Sequence, residues 1–399
     1  MSLIPFEPAI DARAIVVRQP TANLDSLIAL VAQDSITASL YRLQAFNGRV
    51  AGTDSIYAAR DWIHSRFLAF GYDSVYNDSF SASVFGGYKP CYNVVATKLG
   101  TTRPDLQIVV GAHYDAVPGS PGADDNGSGV CGVLELARVL ATQQTGATIV
   151  FVTFDAHEWG LYGSSHYANE AGARHDSILA MFNIDMIGNL PNSAEAWLYF
   201  GQDTRLAQIW ADSGGSRLGI AGHPAPAAYL VDQYPFILNG YQALFVFEHL
   251  FSSVHHTTHD STSYVNFDYA TRMVKATLAT VATIANADWD ADGVANSPDN
   301  CPTTFNPGQD DLDHDGIGDA CDPCLCLSQG DATGDGQIDV LDVVAIIDRA
   351  FAGGACTQDA LCPRERCDID ANGTTDVFDV VAVIAYAFSN GPSPASGCP

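Results

Sequence analysis

The stretch LQIVVGAHYD, residues 106–115, decides the fold class of this 399-residue chain. A short apolar run, typical of a buried strand, ends in a histidine and an aspartate. Similar runs occur as TIVFVTFD (148–155), AMFNIDMIG (180–188) and ALFVFEH (243–249), and helical patterns such as GVCGVLELARVLATQ (129–143) separate them. Apolar strands that alternate with helices predict an α/β domain with a largely parallel central sheet.

Apolar patterns in the sequence predict further strands and helices around this sheet. Strands are expected in YNVVATKL (92–99) and EAWLYFG (195–201). Apolar residues three or four positions apart predict helices in five other segments. These segments are residues 24–33, 36–46, 55–71, 204–214 and 267–287. The α/β pattern ends near Asn286, after which the composition changes abruptly.

Polar residues with metal-binding side chains follow four of the predicted strands. They lie in GAHYD (111–115), DAHE (155–158), NIDM (183–186) and VHHTTHD (254–260). Each residue taken alone has an ordinary explanation as a helix cap, a turn residue or a surface histidine. Open α/β sheets, however, bind ligands beyond the carboxyl ends of their strands, so these groups converge on one crevice. A mixed set of imidazoles and carboxylates suits zinc.

Four segments in a fixed order resemble the dinuclear zinc aminopeptidase family. They are GAHYDAVPGSPGADDNGSG, FDAHEWGLYGS, FNIDMIG and HHTTHDS. Relatives of that family include glutaminyl cyclases, glutamate carboxypeptidase and the transferrin receptor, and the resemblance covers roughly residues 35–286. It implies a catalytic domain over residues 1–286 with the three-layer zinc-exopeptidase fold, built on a mixed, mostly parallel sheet. The implied substrate is a peptide or protein with a free N-terminus.

The resemblance also implies a set of two zinc ions and their ligands. One zinc would be held by His113, Asp125 and Asp185, and the second by Asp125, Glu158 and His256. Asp125 would bridge the ions; it is preferred to Asp124 because it directly precedes Asn-Gly-Ser-Gly, as the bridging residue of the family does. Asp115 would orient the imidazole of His113, as metal-bound histidines require. Two such cations activate water and polarise the scissile carbonyl.

Two positions depart from the pattern of the family. The general base there is a Glu directly before the ligand Glu, whereas this chain has His157 before Glu158. The family often has Tyr before the ligand His, whereas this chain has His255. Imidazoles can accept a proton or stabilise an oxyanion, so His157 and His255 are candidate catalytic residues. The alternatives are a weakened or inactive zinc-binding pseudopeptidase, or a glutaminyl cyclase-like enzyme with one zinc.

Cysteine and acidic residues are concentrated after the α/β pattern. From Asp288 onward there are 21 acidic and 3 basic residues, a net charge of −18 out of −28 for the chain. Eight of the ten cysteines lie in the same region. This density indicates disulfides and an oxidising compartment, with Cys301 and Cys321 as a candidate pair. A zinc ribbon, the alternative, would need two spaced CxxC pairs, and only one crowded CDPCLC is present.

The acidic region begins with two D-x-D-x-D-G repeats. DWDADGVANSPDNCP (288–302) and DLDHDGIGDACD (311–322) place oxygen ligands at alternate positions, with Gly for the sharp turn of a calcium loop. They resemble thrombospondin type 3 repeats, assigned to residues 287–327. The predicted calcium ligands are Asp288, Asp290, Asp292, Asp311, Asp313 and Asp315.

A duplicated unit follows, with a spacing of 37 residues between its copies. DATGDGQIDVLDVVAIIDRAF (331–351) matches DIDANGTTDVFDVVAVIAYAF (368–388), and each copy joins an acidic loop to an apolar helix. The predicted calcium ligands are Asp331, Thr333, Asp335, Asp339 and Asp342, then Asp368, Asp370, Asn372, Asp376 and Asp379. The unit, residues 328–399, resembles a type I dockerin, which implies a cohesin partner. A calcium-stiffened stalk or an intramolecular cap is the alternative.

Charge and hydropathy exclude other classes of function. A net charge of −28 argues against nucleic-acid binding, which needs clustered Lys and Arg. No apolar stretch is long enough to span a bilayer. The segment MSLIPFEPAI has neither a basic nor an apolar signal-peptide region, so no signal peptide is expected in it. The cysteines and calcium loops nevertheless predict a secreted or surface-attached protein.

Overall fold

The computed structural model describes residues 24–287 and a set of shorter segments beyond them. Those segments are residues 294, 299–301, 304, 306–310, 318, 320–321, 330–333, 337–354, 367–369 and 374–389. The chain forms two compact units, Met1–Ala287 and Asp288–Pro399. The predicted domains at 1–286, 287–327 and 328–399 stay predictions.

The first unit is built on one eight-stranded sheet. Its strands are Ser74–Val84 (β1), Gly87–Lys98 (β2), Arg103–His113 (β3), Ala147–Phe154 (β4), Ser177–Ile184 (β5), Glu195–Phe200 (β6), Ala221–Pro226 (β7) and Ala243–Glu248 (β8). They lie in the order β1–β2–β4–β3–β5–β8–β6–β7. The pairs β3–β4, β3–β5, β5–β8 and β6–β7 are parallel. The pairs β1–β2, β2–β4 and β6–β8 are antiparallel. The predicted mixed, mostly parallel sheet is therefore confirmed.

Helices cover this sheet. They are Leu24–Ala29 (α1), Gln33–Gln44 (α2), Asp54–Ala69 (α3), Gly129–Leu140 (α4), Tyr162–Arg174 (α5), Arg205–Trp210 (α6), Ser216–Leu218 (α7), Tyr234–Leu238 (α8) and Phe267–Ala285 (α9). A π-helical turn at Ala211–Gly215 precedes α7. A kinked turn at Ala123–Ser128, in which the backbone of Asp125 and Asn126 is not helical, precedes α4. A 3₁₀ turn occupies Thr262–Tyr264.

Alternate residues of β4 show how the layers form. Val152 and Phe154 pack with Tyr167 of α5 and Phe236 of α8. Phe151, which points to the other face, lies 6.4 Å from the ring of Phe67 in α3. Because successive side chains of a strand point to opposite faces, both faces of this central strand are buried under helices. The sheet is therefore the middle of three layers, with helices above and below it, as expected from the sequence.

Five elements of the first unit were not predicted, and one of them is the three-residue helix α7. The edge strand β1 is mostly polar, and the edge strand β7 contains two prolines, which strands tolerate only where one side stays unpaired. Helix α5, YGSSHYANEAGAR, has few large apolar residues, and α8 has only five residues. Their formation is decided by packing on the sheet, which local patterns do not encode.

The second unit contains the two helices expected from the duplication. They are Val340–Ala352 (α10) and Val377–Ser389 (α11). Val343 and Ile346 of α10 pack with Val380 and Val383 of α11 in a small core. The predicted pair of Cys301 and Cys321 forms a disulfide, with a Cα–Cα distance of 5.7 Å. Cys367 is also disulfide-bonded.

Within the part of the chain that the structure describes, none of the helices combines the length and the hydropathy that crossing a membrane requires.

Candidate functional site

The predicted zinc ligands all follow strands at one edge of the sheet. His113 is the last residue of β3, and Asp185 comes directly after β5. Glu158 follows β4 by four residues, and His256 lies in the loop after β8. Asp125 lies in the turn Ala123–Ser128, which connects β3 to α4. The structure therefore brings together side chains that are up to 143 positions apart in the sequence.

Two groups of ligand atoms meet at Asp125. On one side, Nε2 of His113 lies 3.3 Å from Oδ1 of Asp125 and 3.5 Å from Oδ1 of Asp185. On the other side, Nε2 of His256 lies 3.0 Å from Oδ2 of Asp125 and 3.1 Å from Oε2 of Glu158. The two oxygens of one carboxylate thus face two different groups, which is the geometry a bridging ligand needs.

Several buried atoms of this cluster lack a hydrogen bond. Among the described residues, Nε2 of His113, Oδ1 of Asp185 and Oε1 of Glu158 are buried and have no hydrogen-bond partner. Buried polar atoms without partners are costly, and nitrogen and carboxylate oxygen are the donors that zinc prefers. The residues present therefore fit a zinc site.

The electrostatics of the cluster agree with this fit. Burial and the neighbouring carboxylate of Asp125 raise the pKa of Glu158 to about 8. Burial acts in the same direction on Asp125, but the adjacent imidazoles of His113, His255 and His256 outweigh it and hold the pKa of Asp125 well below its usual value. Carboxylates crowded in this way repel each other, and a divalent cation relieves the repulsion.

Asp115 lies where an orienting residue is expected, beside the imidazole of His113. Its Oδ1 is 3.3 Å from Nδ1 of His113, and all of its side chain is buried. The same carboxylate accepts hydrogen bonds from the backbone N–H groups of His157 (3.0 Å) and Glu158 (3.1 Å). Asp115 therefore fixes both the ring of one ligand and the turn that carries another, a second role that the sequence did not predict.

His157 stacks on a predicted ligand and is paired with a buried carboxylate. Its ring lies 3.9 Å from the ring of His113, at an angle of 9°. Its Nδ1 is 3.0 Å from Oδ2 of Asp232, which has no solvent exposure. Burial favours the neutral ring, but the charge of Asp232 outweighs it and raises the pKa of His157 to about 9. One ring nitrogen also lies within 4.8 Å of ligand atoms of His113 and Asp185, so His157 is within reach of the first ion position.

His255 lies beside the second group. Its Nε2 is 3.1 Å from Oδ2 of Asp125, and its ring stacks on that of His256 at 3.6 Å. Asp125, His255 and His256 together form a possible ligand group. The position therefore suits metal binding as well as the predicted contact with an oxyanion, and both roles stay predictions.

A cavity of about 640 Å³ opens onto the cluster. Asp125, His157, Glu158, Asp185, His255 and His256 form its polar wall. Its other walls are mostly apolar and aromatic, with Leu161, Met186, Tyr199, Leu230, Val231, Phe245, Phe247 and Phe251. A small set of polar groups at the end of an apolar cavity is typical of a small-ligand site.

Three supporting residues were missed by sequence reasoning. The guanidinium of Arg49, which is fully buried, donates hydrogen bonds to the carbonyls of Leu43, Tyr114, Pro121 and Gly122. The carboxylate of Asp260 accepts hydrogen bonds from the backbone N–H groups of Asp124 (2.8 Å) and Asp125 (3.2 Å). Asp232, the partner of His157, is the third. Asp260 ends the segment HHTTHD, which also contains the candidate ligand His256, so its place in that motif was a signal. Nothing in the sequence near Arg49 or Asp232 indicates their contacts.

The predicted calcium ligands are only partly described. Asp288, Asp290, Asp292, Asp311, Asp313, Asp315, Asp335, Asp370 and Asn372 lie outside the described residues. In the first duplicated loop, Asp342 is buried and accepts hydrogen bonds from the backbone N–H groups of Thr333 (3.0 Å) and Asp339 (2.8 Å). In the second, Asp379 is buried and accepts from those of Ile369 (2.6 Å) and Asp376 (2.7 Å).

The two loops therefore share one arrangement, in which the last predicted ligand ties the loop to the start of its helix. Asp331 and Asp368 are buried at the equivalent first positions. Calcium binding at these residues stays a prediction.

The fold and site define a class of metallopeptidase, and comparisons with known proteins agree. Residues 93–281 match the model of Peptidase family M28. A curated relative, a probable zinc metalloprotease from Pyrenophora teres f. teres, is 29% identical over 319 residues, which cover 67% of this chain and 68% of the relative.

Solved structures share the same fold at lower identity. The aminopeptidase from Aneurinibacillus sp. strain AM-1 matches with a TM-score of 0.56 and 18% identity, over 65% of this chain and 95% of that protein. Glutaminyl cyclase from Porphyromonas gingivalis matches with a TM-score of 0.55 and 24% identity, over 64% of this chain and 98% of that protein. The first unit of this chain is thus a zinc metallopeptidase unit, and it is similar to Peptidase family M28 over residues 93–281.

Proposed function

We propose that the chain is an aminopeptidase that removes N-terminal residues from peptides with the help of two zinc ions. The observation that carries this proposal is the position of Asp125, whose Oδ1 faces His113 while its Oδ2 faces His256. His113, Asp125 and Asp185 would hold one ion, and Asp125, Glu158 and His256 the other. Zinc bound there supplies a water of lowered pKa and polarises the scissile carbonyl.

The protein residues supply orientation and proton transfer. The carboxylate of Asp115 keeps the ring of His113 in place. His157 lies on the cavity wall, where its neutral ring would take a proton from the attacking water and return it to the departing amine. The charge of bound zinc would oppose that of Asp232 and keep the ring neutral before the proton is taken. Because Nδ1 of His157 donates to Asp232, Nε2 is left to exchange that proton.

The cavity supports a preference for peptides with an apolar first residue. Its walls, which include Phe245, Phe247 and Leu230, exclude water from an apolar side chain. One buried methylene in such a pocket changes kcat/KM by roughly tenfold or more. Leucine and phenylalanine are therefore the expected first residues.

A single experiment separates this function from its alternatives. Hydrolysis of leucine-p-nitroanilide is measured together with zinc content for the purified full chain, and glutaminyl peptides are tested in parallel. Turnover with two zinc ions per chain supports the aminopeptidase. Zinc without any turnover indicates a pseudopeptidase, and one zinc with cyclisation of N-terminal glutamine indicates a cyclase, the activity named for one structural neighbour.

We further propose that the protein is exported and that its second unit attaches it to a partner in a calcium-dependent manner. Cysteine content and the Cys301–Cys321 disulfide are typical of an oxidising compartment. Each helix of the duplicated unit exposes large apolar side chains. They are Val340, Leu341, Val344, Ile347 and Phe351 on α10, and Val377, Phe378, Val381, Ile384 and Phe388 on α11. Exposed apolar surfaces of this kind mark interaction sites.

The partner implied by the resemblance to dockerins is a cohesin domain. The full chain is passed over a panel of immobilised cohesins, with calcium and with a chelator. Retention that depends on calcium and is lost in Val344→Asp supports the proposal. Equal behaviour with and without chelator would leave the duplicated unit with the role of a stalk or cap.

A further inference from the structure

Glu195, His223 and His249 form a second cluster of metal-binding side chains, and it shares no residue with the cluster described above. Glu195 begins β6, His223 lies on the edge strand β7, and His249 directly follows β8. Trp197 pairs with His223 on one side and with Phe247 on the other. Since side chains two positions apart in a strand share a face, Glu195, Trp197 and the two histidines lie on one face of the sheet.

The polar atoms of the cluster are close enough to share an ion. Nε2 of His223 lies 3.1 Å from Oε1 of Glu195. The rings of His223 and His249 are 4.9 Å apart. One ligand atom from each of the three residues lies within 4.8 Å of the other two. For comparison, the ligands of a tetrahedral zinc with bonds of about 2.1 Å are roughly 3.4 Å apart.

Packing and hydrogen bonds fix the backbone positions that carry the three side chains of the cluster. The ring of Trp197 stacks on His249 at 5.1 Å and lies 5.5 Å from His223. Nε1 of Trp197 donates to the backbone carbonyl of His249 (3.1 Å). The hydroxyl of Tyr269 donates to the backbone carbonyl of Glu195 (2.6 Å). Ligands that are fixed on strands lose little conformational entropy when they bind an ion.

One imidazole of the cluster has an unsatisfied nitrogen. Nδ1 of His249 is buried and has no hydrogen-bond partner in the described part of the chain. A buried polar atom without a partner destabilises the folded state. The ring of a metal-binding histidine is held in place by the ion and by a hydrogen bond to its other nitrogen. A surface ion pair between Glu195 and His223 alone would not explain why Nδ1 of His249 is buried without a hydrogen-bond partner.

We propose that Glu195, His223 and His249 bind a further divalent transition-metal ion, with zinc as the physiological class. Two imidazoles and one carboxylate are a donor set that zinc accepts, with a fourth position left for water. Calcium and magnesium are disfavoured because they prefer oxygen ligands. The side chains of Glu195 and His223 are 53% and 38% exposed, so an ion reaches them from solvent and occupancy follows the free zinc concentration.

The test counts zinc ions in the full chain. Wild type, His223→Ala, His249→Gln and Glu195→Gln are dialysed against zinc buffers that also contain saturating calcium, and bound zinc is measured by inductively coupled plasma mass spectrometry. The matched control is His166→Ala, because Nε2 of His166 lies 3.1 Å from Oδ1 of Asp78, the same separation as in the pair of His223 and Glu195. His166 belongs to no group of three donors among the described residues.

We expect wild type and His166→Ala to bind one zinc per chain more than His223→Ala does, with a similar loss in His249→Gln and a weaker affinity in Glu195→Gln. Equal zinc content in wild type and His223→Ala at every free zinc concentration would overturn the proposal. So would a loss confined to His223→Ala, which would indicate a single histidine rather than a three-residue site. Circular dichroism of each variant verifies the fold, and the outcome does not depend on peptidase activity.

Discussion

Nδ1 of His157 lies 3.0 Å from Oδ2 of Asp232, a carboxylate with no solvent exposure. The ring of His157 also stacks on that of His113, 3.9 Å away. His157, the candidate general base, is thus provided with its own orienting carboxylate. Such a carboxylate fixes the tautomer of the ring and favours proton uptake at the opposite nitrogen.

The first prediction concerns this pair. His157→Ala is expected to lower kcat for leucine-p-nitroanilide by about a hundredfold to ten-thousandfold, the usual cost of a lost general base. Asp232→Asn is expected to lower kcat by roughly tenfold to a hundredfold, as for other residues that orient a functional histidine, with little change in KM. His157→Glu should be more active than His157→Ala because it restores a carboxylate at this position.

Zinc content is measured for each variant to separate proton transfer from metal loss. Asp78→Asn is the control, since it disturbs another histidine–aspartate pair, His166 and Asp78, which is partly exposed and lies outside the cavity. Full activity in Asp232→Asn would rule out an orienting role for Asp232.

The second prediction distinguishes Asp125 from its neighbour. Asp125→Asn is expected to lower the zinc content from two ions per chain to one or fewer, because an amide bridges cations poorly. Asp124→Asn is the matched control. Oδ1 of Asp124 accepts a hydrogen bond from the backbone N–H of Gly188 (2.9 Å), which an Asn oxygen can also accept. Loss of zinc in Asp124→Asn with retention in Asp125→Asn would show that Asp124, and not Asp125, bridges the ions.

Four candidate ligands, His113, Glu158, Asp185 and His256, could be expected at one crevice because they lie in polar segments that end or follow apolar strands. The choice of Asp125, and the assignment of each residue to an ion, came from the resemblance to the zinc aminopeptidase family. For His113 and Asp185 the strand itself fixes the position, and strand periodicity is a local property. The residues that hold the ligands could not be predicted in this way. Asp232 is 75 positions from His157, and Arg49 is 65 positions from Tyr114, whose carbonyl it contacts. Such contacts depend on the packing of loops, which leaves no periodic pattern in one sequence.

The same reasoning explains the missed strands. Strand β1 pairs only with β2, and most of its residues are exposed, so its sequence lacks the apolar run of a buried strand. The predicted helix in GVCGVLELARVLATQ was correct because α4 is amphipathic and buried on the sheet. Apolar patterns therefore identify the core of the fold, whereas its edges and loops are determined by tertiary contacts.

The third prediction concerns Arg49, which binds four carbonyl groups of the segments around the ligand loop. Arg49→Lys keeps a charge but cannot reach all four carbonyls, because an ammonium lacks the planar fork of a guanidinium. Each lost hydrogen bond costs about 1 kcal/mol, so the free energy of unfolding is expected to fall by roughly 2–4 kcal/mol. Urea denaturation followed by circular dichroism measures this change.

Zinc affinity should fall as well in Arg49→Lys, since Gly122 lies three positions before Asp125. The control is Arg60→Lys, whose partner Asp61 is a surface residue with 65% of its side chain exposed. If both variants lose the same small amount of stability, Arg49 does not hold the loop.

The fourth prediction concerns calcium in the duplicated unit. Calcium bound only to the folded state stabilises it by about 2.7 kcal/mol at a hundredfold excess over Kd, so the melting temperature of the second unit should rise with calcium and fall with chelator. Asp342→Asn is expected to reduce this rise, because an amide is a weaker calcium ligand than a carboxylate. It keeps the size of the side chain and one acceptor for the N–H groups of Thr333 and Asp339. Asp348→Asn, an exposed position on the same helix, is the matched control and should respond to calcium like wild type. An equal rise in both variants would mean that Asp342 caps the helix without binding calcium.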